Sequence, residues 1–214
     1  MSTRYNPSIV RDNLVLYFDA ANTKSYPGSG TAMTDMSGKG NHGTLTTGPT
    51  FSSDNNGSIV LDGSNDYIST INLSSFTTFT IQMWIFDSRS ASGGLDILTY
   101  NGDSGSYTFS GNTFRTDGNN LTARTTTIGG YHPLGKWFQF TYTKNGSLFL
   151  DNKEYSSFTG SELSNFGVLD IGRSRSHNNT FLNGKISNVK VYDRALTASE
   201  VRQNYNANKG RFGL

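Results

Sequence analysis

Strand-length runs of aromatic and β-branched residues recur from Leu14 to Tyr192, and turn-forming residues punctuate them throughout. Leu14-Val15-Leu16-Tyr17-Phe18 is a near-continuous apolar run, the pattern of a strand buried on both faces. Phe79, Ile81, Met83 and Ile85 line one face of a further run while Trp84 and Phe86 load the other, which predicts a covered central strand. Trp137 to Thr143 alternates with Phe138, Phe140 and Tyr142 on one side, and Asn145-Gly146 turns it into Ser147 to Asp151. Ile59 to Asp62 and Tyr67 to Ile71 flank Gly63-Ser64-Asn65-Asp66 and read as another hairpin. Shorter strands are predicted at Leu95 to Tyr100, Ser106 to Phe109, Thr113 to Thr116, Leu121 to Thr125 and Val168 to Ile171. No helical pattern alternates with these strands, so a parallel α/β sheet is excluded and a sandwich or barrel remains.

One helix is signalled, at the end of the chain. A turn at Asn183-Gly184 is predicted to feed a strand from Lys185 to Tyr192, after which Thr197 and Glu200 form an S/T-x-x-E capping box. Leu196 and Val201 stand at the spacing of a hydrophobic staple around that cap. The fold class is therefore all-β: a two-sheet antiparallel sandwich of the jelly-roll kind with one short C-terminal helix. Residues 1–12 read as an N-terminal arm and 13–214 as a single domain, since no repeat or linker interrupts the pattern. The stretch from Thr23 to Thr50 reads as one long loop.

Composition narrows the function classes. With 24 Gly, 14 Phe, 11 Tyr and only 16% charged residues, the chain has too many aromatics and too little charge for disorder. A net charge of +2 is too small to argue for nucleic acid, and no apolar run approaches a membrane span. The charge is uneven, however: from residue 173 onward eight basic residues face two acidic ones, a local +6 that leaves −4 on the remainder. Absence of cysteine excludes disulfides, thiol nucleophiles and thiolate metal sites. The N-terminus lacks the apolar core of a secretory signal, which fits a chain made in the cytoplasm that stays there or leaves in an assembly released by lysis. The alternative is a mature extracellular fragment with its signal removed.

The order of these pieces resembles the laminin-G-like, concanavalin-A-like lectin/glucanase jelly roll from about Leu14 to Ala207. The resemblance is carried by Leu61-Asp62-Gly63 with Asp66-Tyr67-Ile68, by Phe79-Thr80-Ile81 with Trp84, and by Gly135-Lys136-Trp137-Phe138 leading to Leu148-Phe149-Leu150-Asp151. Ile171-Gly172-Arg173 and Asn183 through Leu196 complete it. More narrowly, Tyr17 to Asn22, Asp35 to Asn41 and the ending Asn204 to Leu214 are similar to a subtype found in virion structural proteins of marine tailed phages. That similarity implies a virion location, made in the host cytoplasm, and a non-enzymatic role as a capsid decoration or a tail- or fibre-associated protein. The implied partners are other virion proteins, further copies of the chain and host-surface glycans. The alternative is a carbohydrate-binding or adhesion module that uses edge loops and calcium.

Glycosidases on this fold set acidic residues close together on one strand, because hydrolysis needs a nucleophile and an acid a few ångströms apart. The three glutamates here, Glu154, Glu162 and Glu200, are far apart in sequence, and an enzyme is not expected. His42, His132 and His177 are isolated and show no zinc spacing. Calcium, which the resemblance implies for loops at one edge, would draw on Asp19, Asn22, Asp35, Asp62 and Asp66. The competing reading has these residues bonding their own backbone in turns. Binding to a sugar or a neighbouring subunit is expected at Arg173, Arg175, His177 and Asn178, in a polar loop. Lys209, Arg211 and Phe212 are expected to extend beyond the helix and mediate docking.

Overall fold

The computed structural model describes residues 8–72, 78–89, 95–100, 105–110, 113–118, 121–127, 133–144, 147–155, 168–174 and 180–214. In chain order the strands begin with β1 (Leu14–Asp19), β2 (Ala32–Met33), β3 (Gly43–Thr46), β4 (Thr50–Ser52), β5 (Ser58–Asp62), β6 (Tyr67–Asn72) and β7 (Thr80–Asp87). There follow β8 (Leu95–Tyr100), β9 (Gly105–Ser110), β10 (Thr113–Gly118), β11 (Leu121–Thr127) and β12 (Trp137–Thr143). The last are β13 (Leu148–Leu150), β14 (Lys153–Tyr155), β15 (Val168–Ile171), β16 (Arg173–Ser174), β17 (Thr180–Phe181) and β18 (Asn183–Tyr192). Helix α1 (Ala198–Asn208) and a 3-10 turn, Lys209–Phe212, close the chain.

All strands but β16 and β17, which pair with each other, form two antiparallel sheets facing each other, a jelly-roll sandwich. The first runs β14-β13-β12-β7-β18-β5-β4, and β1 pairs with the second half of β18. The second runs β11-β10-β9-β8-β15-β6-β3-β2. Strand alternation fills the space between them: Ile81, Met83 and Ile85 of β7, Phe138 and Phe140 of β12, and Val189 and Val191 of β18 meet Leu45, Ile68, Leu169 and Ile171 from the other sheet.

Three expectations are corrected. Ser58 to Ile71 is not a hairpin: β5 pairs with β4 and β18 in the first sheet, whereas β6 pairs with β3 and β15 in the second. Alternation tells which side chains are buried but not which sheet a strand joins. Here the Asp62 carboxylate accepts from the Ser64 N–H, and Asp66 accepts from the Asp62 N–H, so the chain turns across the core edge on its own side chains. Asn183-Gly184 is likewise no turn but the start of β18, where Gly184 lies so close to the Phe86 carbonyl that a Cβ has no room. The stretch Thr23 to Thr50 contributes β2 and β3 to the second sheet rather than remaining loop throughout.

The outer face of the first sheet is covered as well. Trp84 is fully buried there, beneath Phe212 at a centroid distance of 4.2 Å and Tyr205 at 5.6 Å, both near-parallel. Trp137 tilts onto Phe212 at 4.8 Å. Helix α1 is held in place at its N-terminus: Thr197 Oγ1 accepts from the Glu200 N–H, and the Glu200 carboxylate accepts from the Thr197 N–H. Leu196 and Val201 are buried together with Tyr192, as the staple requires. Residues 8–12 pack against the same helix, with the Val10 N–H donating to Asn204 Oδ1 and Tyr192 Oη donating to the Val10 carbonyl.

Two consequences can be measured. Phe212→Ala removes the ring that covers Trp84 and is expected to cost about 3 kcal/mol of unfolding free energy by urea denaturation. Glu200 also takes two hydrogen bonds from the Arg194 guanidinium, at 2.9 and 2.6 Å, and this pairing, helped by the Thr197 bonds, lowers its pKa to about 2. Because the folded-state value lies below the ordinary 4.5, the stabilisation is full above that pH and lost as pH falls toward 2. The stability difference between the native chain and Glu200→Gln should therefore shrink across that interval.

Candidate functional site

Among the described residues, the side chains predicted to bind or ligate fall into three places. The first is the end of the second sheet where β6 begins and β15 finishes. Ile68 is wholly buried in the core, so Tyr67 must point to the opposite, outer face. Gly172, with φ +85°, bends the chain out of β15 into β16, and the Leu182 N–H donates to its carbonyl. That bend sets Arg173 opposite Phe181 across β16 and β17. The Arg173 guanidinium lies 5.0 Å from the Tyr67 ring centroid and 5.4 Å from that of Phe181, and the two rings are 6.5 Å apart. The buried Asp170 carboxylate stands 3.6 Å from the guanidinium and fixes its position. Two half-buried rings and a planar cation thus share one surface, beside the Gly63–Asp66 turn, whose Gly63 packs on Asn183. Arg173 takes part in this cluster; Arg175, His177 and Asn178 lie outside the described residues.

The second place is the 19–42 loop region. Asp35 is almost fully buried and acts as a hub: its carboxylate accepts from the N–H groups of Tyr17, Ser37 and Asn41 and from the Ser37 hydroxyl. Asn22 accepts from the Lys24 N–H, and Asp19 accepts from the Ala21 N–H and the Tyr17 hydroxyl. Asp62 and Asp66 hold their own turn in the same manner, at the first place, and so are separated from the other three. Burial raises the Asp66 pKa, whereas backbone bonds from Ser64 lead the lowering of that of Asp62. These side chains act as turn-formers. A calcium cage needs six to eight oxygens, and among the described residues no three acidic or histidine side chains converge.

The third place is the C-terminal turn, where the structure corrects the expected projection. Phe212 is buried on Trp84, and Lys209 lies with its Nζ 5.6 Å over Tyr205. Arg211 is ion-paired to Asp19 at 2.7 Å and also donates to the Asn55 and Gly57 carbonyls. Its charge is used to fasten the turn to the sandwich. The helix is followed at once by a 3-10 turn, so these residues fold back instead of continuing outward.

Tyr67 and Phe181 were not singled out as binding residues by the sequence, because an aromatic in an alternating strand reads as core until the sheet face is known. Lys190 was also passed over. It sits between Val189 and Val191, points to the outer face, and is fully buried there with its Nζ donating to Asn188 Oδ1 at 2.7 Å. That burial pulls its pKa down to about 7.

A family model for the concanavalin A-like lectin/glucanases superfamily matches residues 62–202, about two-thirds of the chain. No curated protein matches the sequence. Among solved structures the chain is similar to domain 4 of an extracellular arabinanase from Geobacillus stearothermophilus, solved with arabinotriose. The identity is 16% and the TM-score 0.69, over 90% of this chain and 98% of that one. It is also similar to the receptor-binding domain of a botulinum neurotoxin C/D mosaic, at 14% identity and TM-score 0.65, over 92% of this chain and 51% of that one. A Trypanosoma rangeli sialidase matches at 14% identity and TM-score 0.69, over 95% of this chain and 34% of that one. The chain thus spans about half of the neurotoxin domain and a third of the sialidase. At these identities the likeness is one of fold. With the two-sheet architecture and the matched model together, the chain belongs to the concanavalin A-like lectin/glucanase superfamily.

Proposed function

We propose that this chain is a non-catalytic carbohydrate-binding module whose sugar site is the Tyr67, Phe181 and Arg173 cluster. The observation that carries the reading is the placement of two half-buried rings and a guanidinium on one loop-end surface. Such a surface suits a sugar: the C–H face of a pyranose or furanose lies on an aromatic ring, and its hydroxyls accept from a fixed planar donor. Family membership supports it, as does the arabinotriose complex of a structurally similar domain. Non-catalytic action is supported by the two glutamates among the described residues. Glu200 serves the helix cap and Arg194, and Glu154 accepts from the Ser147 hydroxyl.

A second, wider reading places the same module on a phage particle, as a capsid decoration or a tail- or fibre-associated protein that contacts other virion proteins and host-surface glycans. The segments Tyr17 to Asn22, Asp35 to Asn41 and Asn204 to Leu214 favour it through their similarity to virion proteins. Mass spectrometry of purified virions separates this from a module that acts off the particle.

The sugar site is tested by screening the purified chain on a glycan array and titrating the best ligand by calorimetry. Tyr67→Ala and Phe181→Ala, each checked for folding by circular dichroism, should weaken binding about tenfold or more. Repeating the titration with a chelator reads any calcium requirement of the loops. Folded variants that bind like the native chain, or an array with no saturable ligand, would contradict the proposal.

A further inference from the structure

On the outer face of the first sheet, a cleft of about 560 Å³ opens between the N-terminal segment and the end of helix α1. Arg11, Tyr17, Asp19, Asn208 and Arg211 are among its walls. Its charges do not balance. Asp19 is the acid in the wall, and Arg211 already holds it at 2.7 Å. The Tyr17 hydroxyl donates to the same carboxylate, and burial together with that neighbour pushes the phenol pKa up, so Tyr17 stays neutral.

Two basic side chains remain. Arg11 is exposed and its guanidinium lies 5.7 Å from the Tyr17 ring centroid. Among the described residues it has neither a carboxylate partner nor a hydrogen-bond acceptor. Lys190, directly opposite Tyr17 in the β1–β18 register, sits with its Nζ 5.3 Å from the same ring and has only the neutral Asn188 amide as acceptor. Burial holds the Lys190 pKa at about 7, so it adds positive potential beneath the Tyr17 ring only as pH falls below that value. The same residues explain why the site was invisible in the sequence: they come from residue 11, the β1 strand, β18 and the chain end.

We propose that this cleft is a binding site for an acidic sugar, whose carboxylate pairs with Arg11 above the Tyr17 ring. The volume suits a ligand of one or two sugar units. Arg11 offers a planar pair of N–H donors that matches a carboxylate, and its exposure leaves that pair open to one. Asn208 and Asn56, both on the wall, can donate and accept toward ring hydroxyls. Lys190 lies beneath Tyr17 without touching the ligand, and adds to the field only where pH is low enough to protonate it. The site is on the opposite side of the sandwich from the Tyr67 cluster and stands independently of it.

The test is a titration of the full chain with glucuronate, with glucose and inorganic sulfate as parallel arms, followed by calorimetry and by ¹H–¹⁵N shift changes. Glucuronate should bind saturably and shift the Tyr17 and Asn208 amides, while glucose does not. Arg11→Ala should weaken glucuronate about tenfold, and Arg11→Lys should restore part of the loss. Because Arg11 is exposed, these variants are expected to keep the native melting temperature, which a thermal scan checks. Absence of saturable glucuronate binding, or equal affinity in Arg11→Ala, overturns the proposal. Equal affinity for inorganic sulfate also overturns the acidic-sugar assignment, since the cleft is then a general anion site.

Discussion

The stacking of Phe212 on Trp84 is the contact on which the first sheet depends. β7 and β18 are the central strands of that sheet, and they carry large side chains on both faces. A sandwich covers one face by its partner sheet; the other needs a second cover or must be polar. Here Trp84 supplies a broad apolar surface on the outer face, and the C-terminal helix and turn close over it. Aromatic stacking of this kind contributes about 0.5–1.5 kcal/mol beyond simple burial. Its cover also encloses polar groups: Gln82 donates to Gln139 and Thr141 beneath the same layer, and the Trp84 indole N–H finds no acceptor among the described residues.

Everything that looked like a free basic tail follows from that closure. Part of the local excess of positive charge is used in internal pairing: Arg211 with Asp19, Arg194 with Glu200 and Asp12, Lys185 with Asp54. A largely exposed pair such as Lys185 with Asp54 is worth little by itself. The arrangement of these pairs nevertheless determines which cation remains for a ligand, and Arg11 is the one left without a carboxylate partner in the cleft wall. The surfaces proposed for ligands are therefore not a projecting tail but the loop-end aromatic cluster and the cleft beside the helix.

What the sequence made legible was local. The capping box at Thr197 and Glu200, the staple at Leu196 and Val201, and the doubly covered strand around Trp84 are all written in neighbouring residues, and the structure contains each of them. The sheet to which a strand belongs is not local, which is why β5 and β6 read as a hairpin although they lie in opposite sheets. Gly184 shows a related ambiguity, since a glycine after asparagine signals a turn as readily as it permits a close approach to the Phe86 carbonyl. The aromatic cluster was half visible: Arg173 stood out in a polar loop, but its partners Tyr67 and Phe181 arrive from distant strands. The aspartates were legible as turn residues, and Asp35, the most connected of them, organises its loop by accepting from three backbone N–H groups.

The division between a sealed C-terminal cover and the sugar surface proposed at the opposite sheet is open to one direct measurement. The indole N–H of Trp84 reports on the cover, and the amides of Tyr67, Arg173 and Phe181 report on the proposed sugar surface. A ¹H–¹⁵N spectrum recorded with and without the preferred glycan compares them in one experiment. Shifts concentrated at Tyr67, Arg173 and Phe181 with an unmoved Trp84 indole are predicted. A spectrum in which Trp84, Tyr205 and Phe212 move while the Tyr67 cluster stays still would contradict this division.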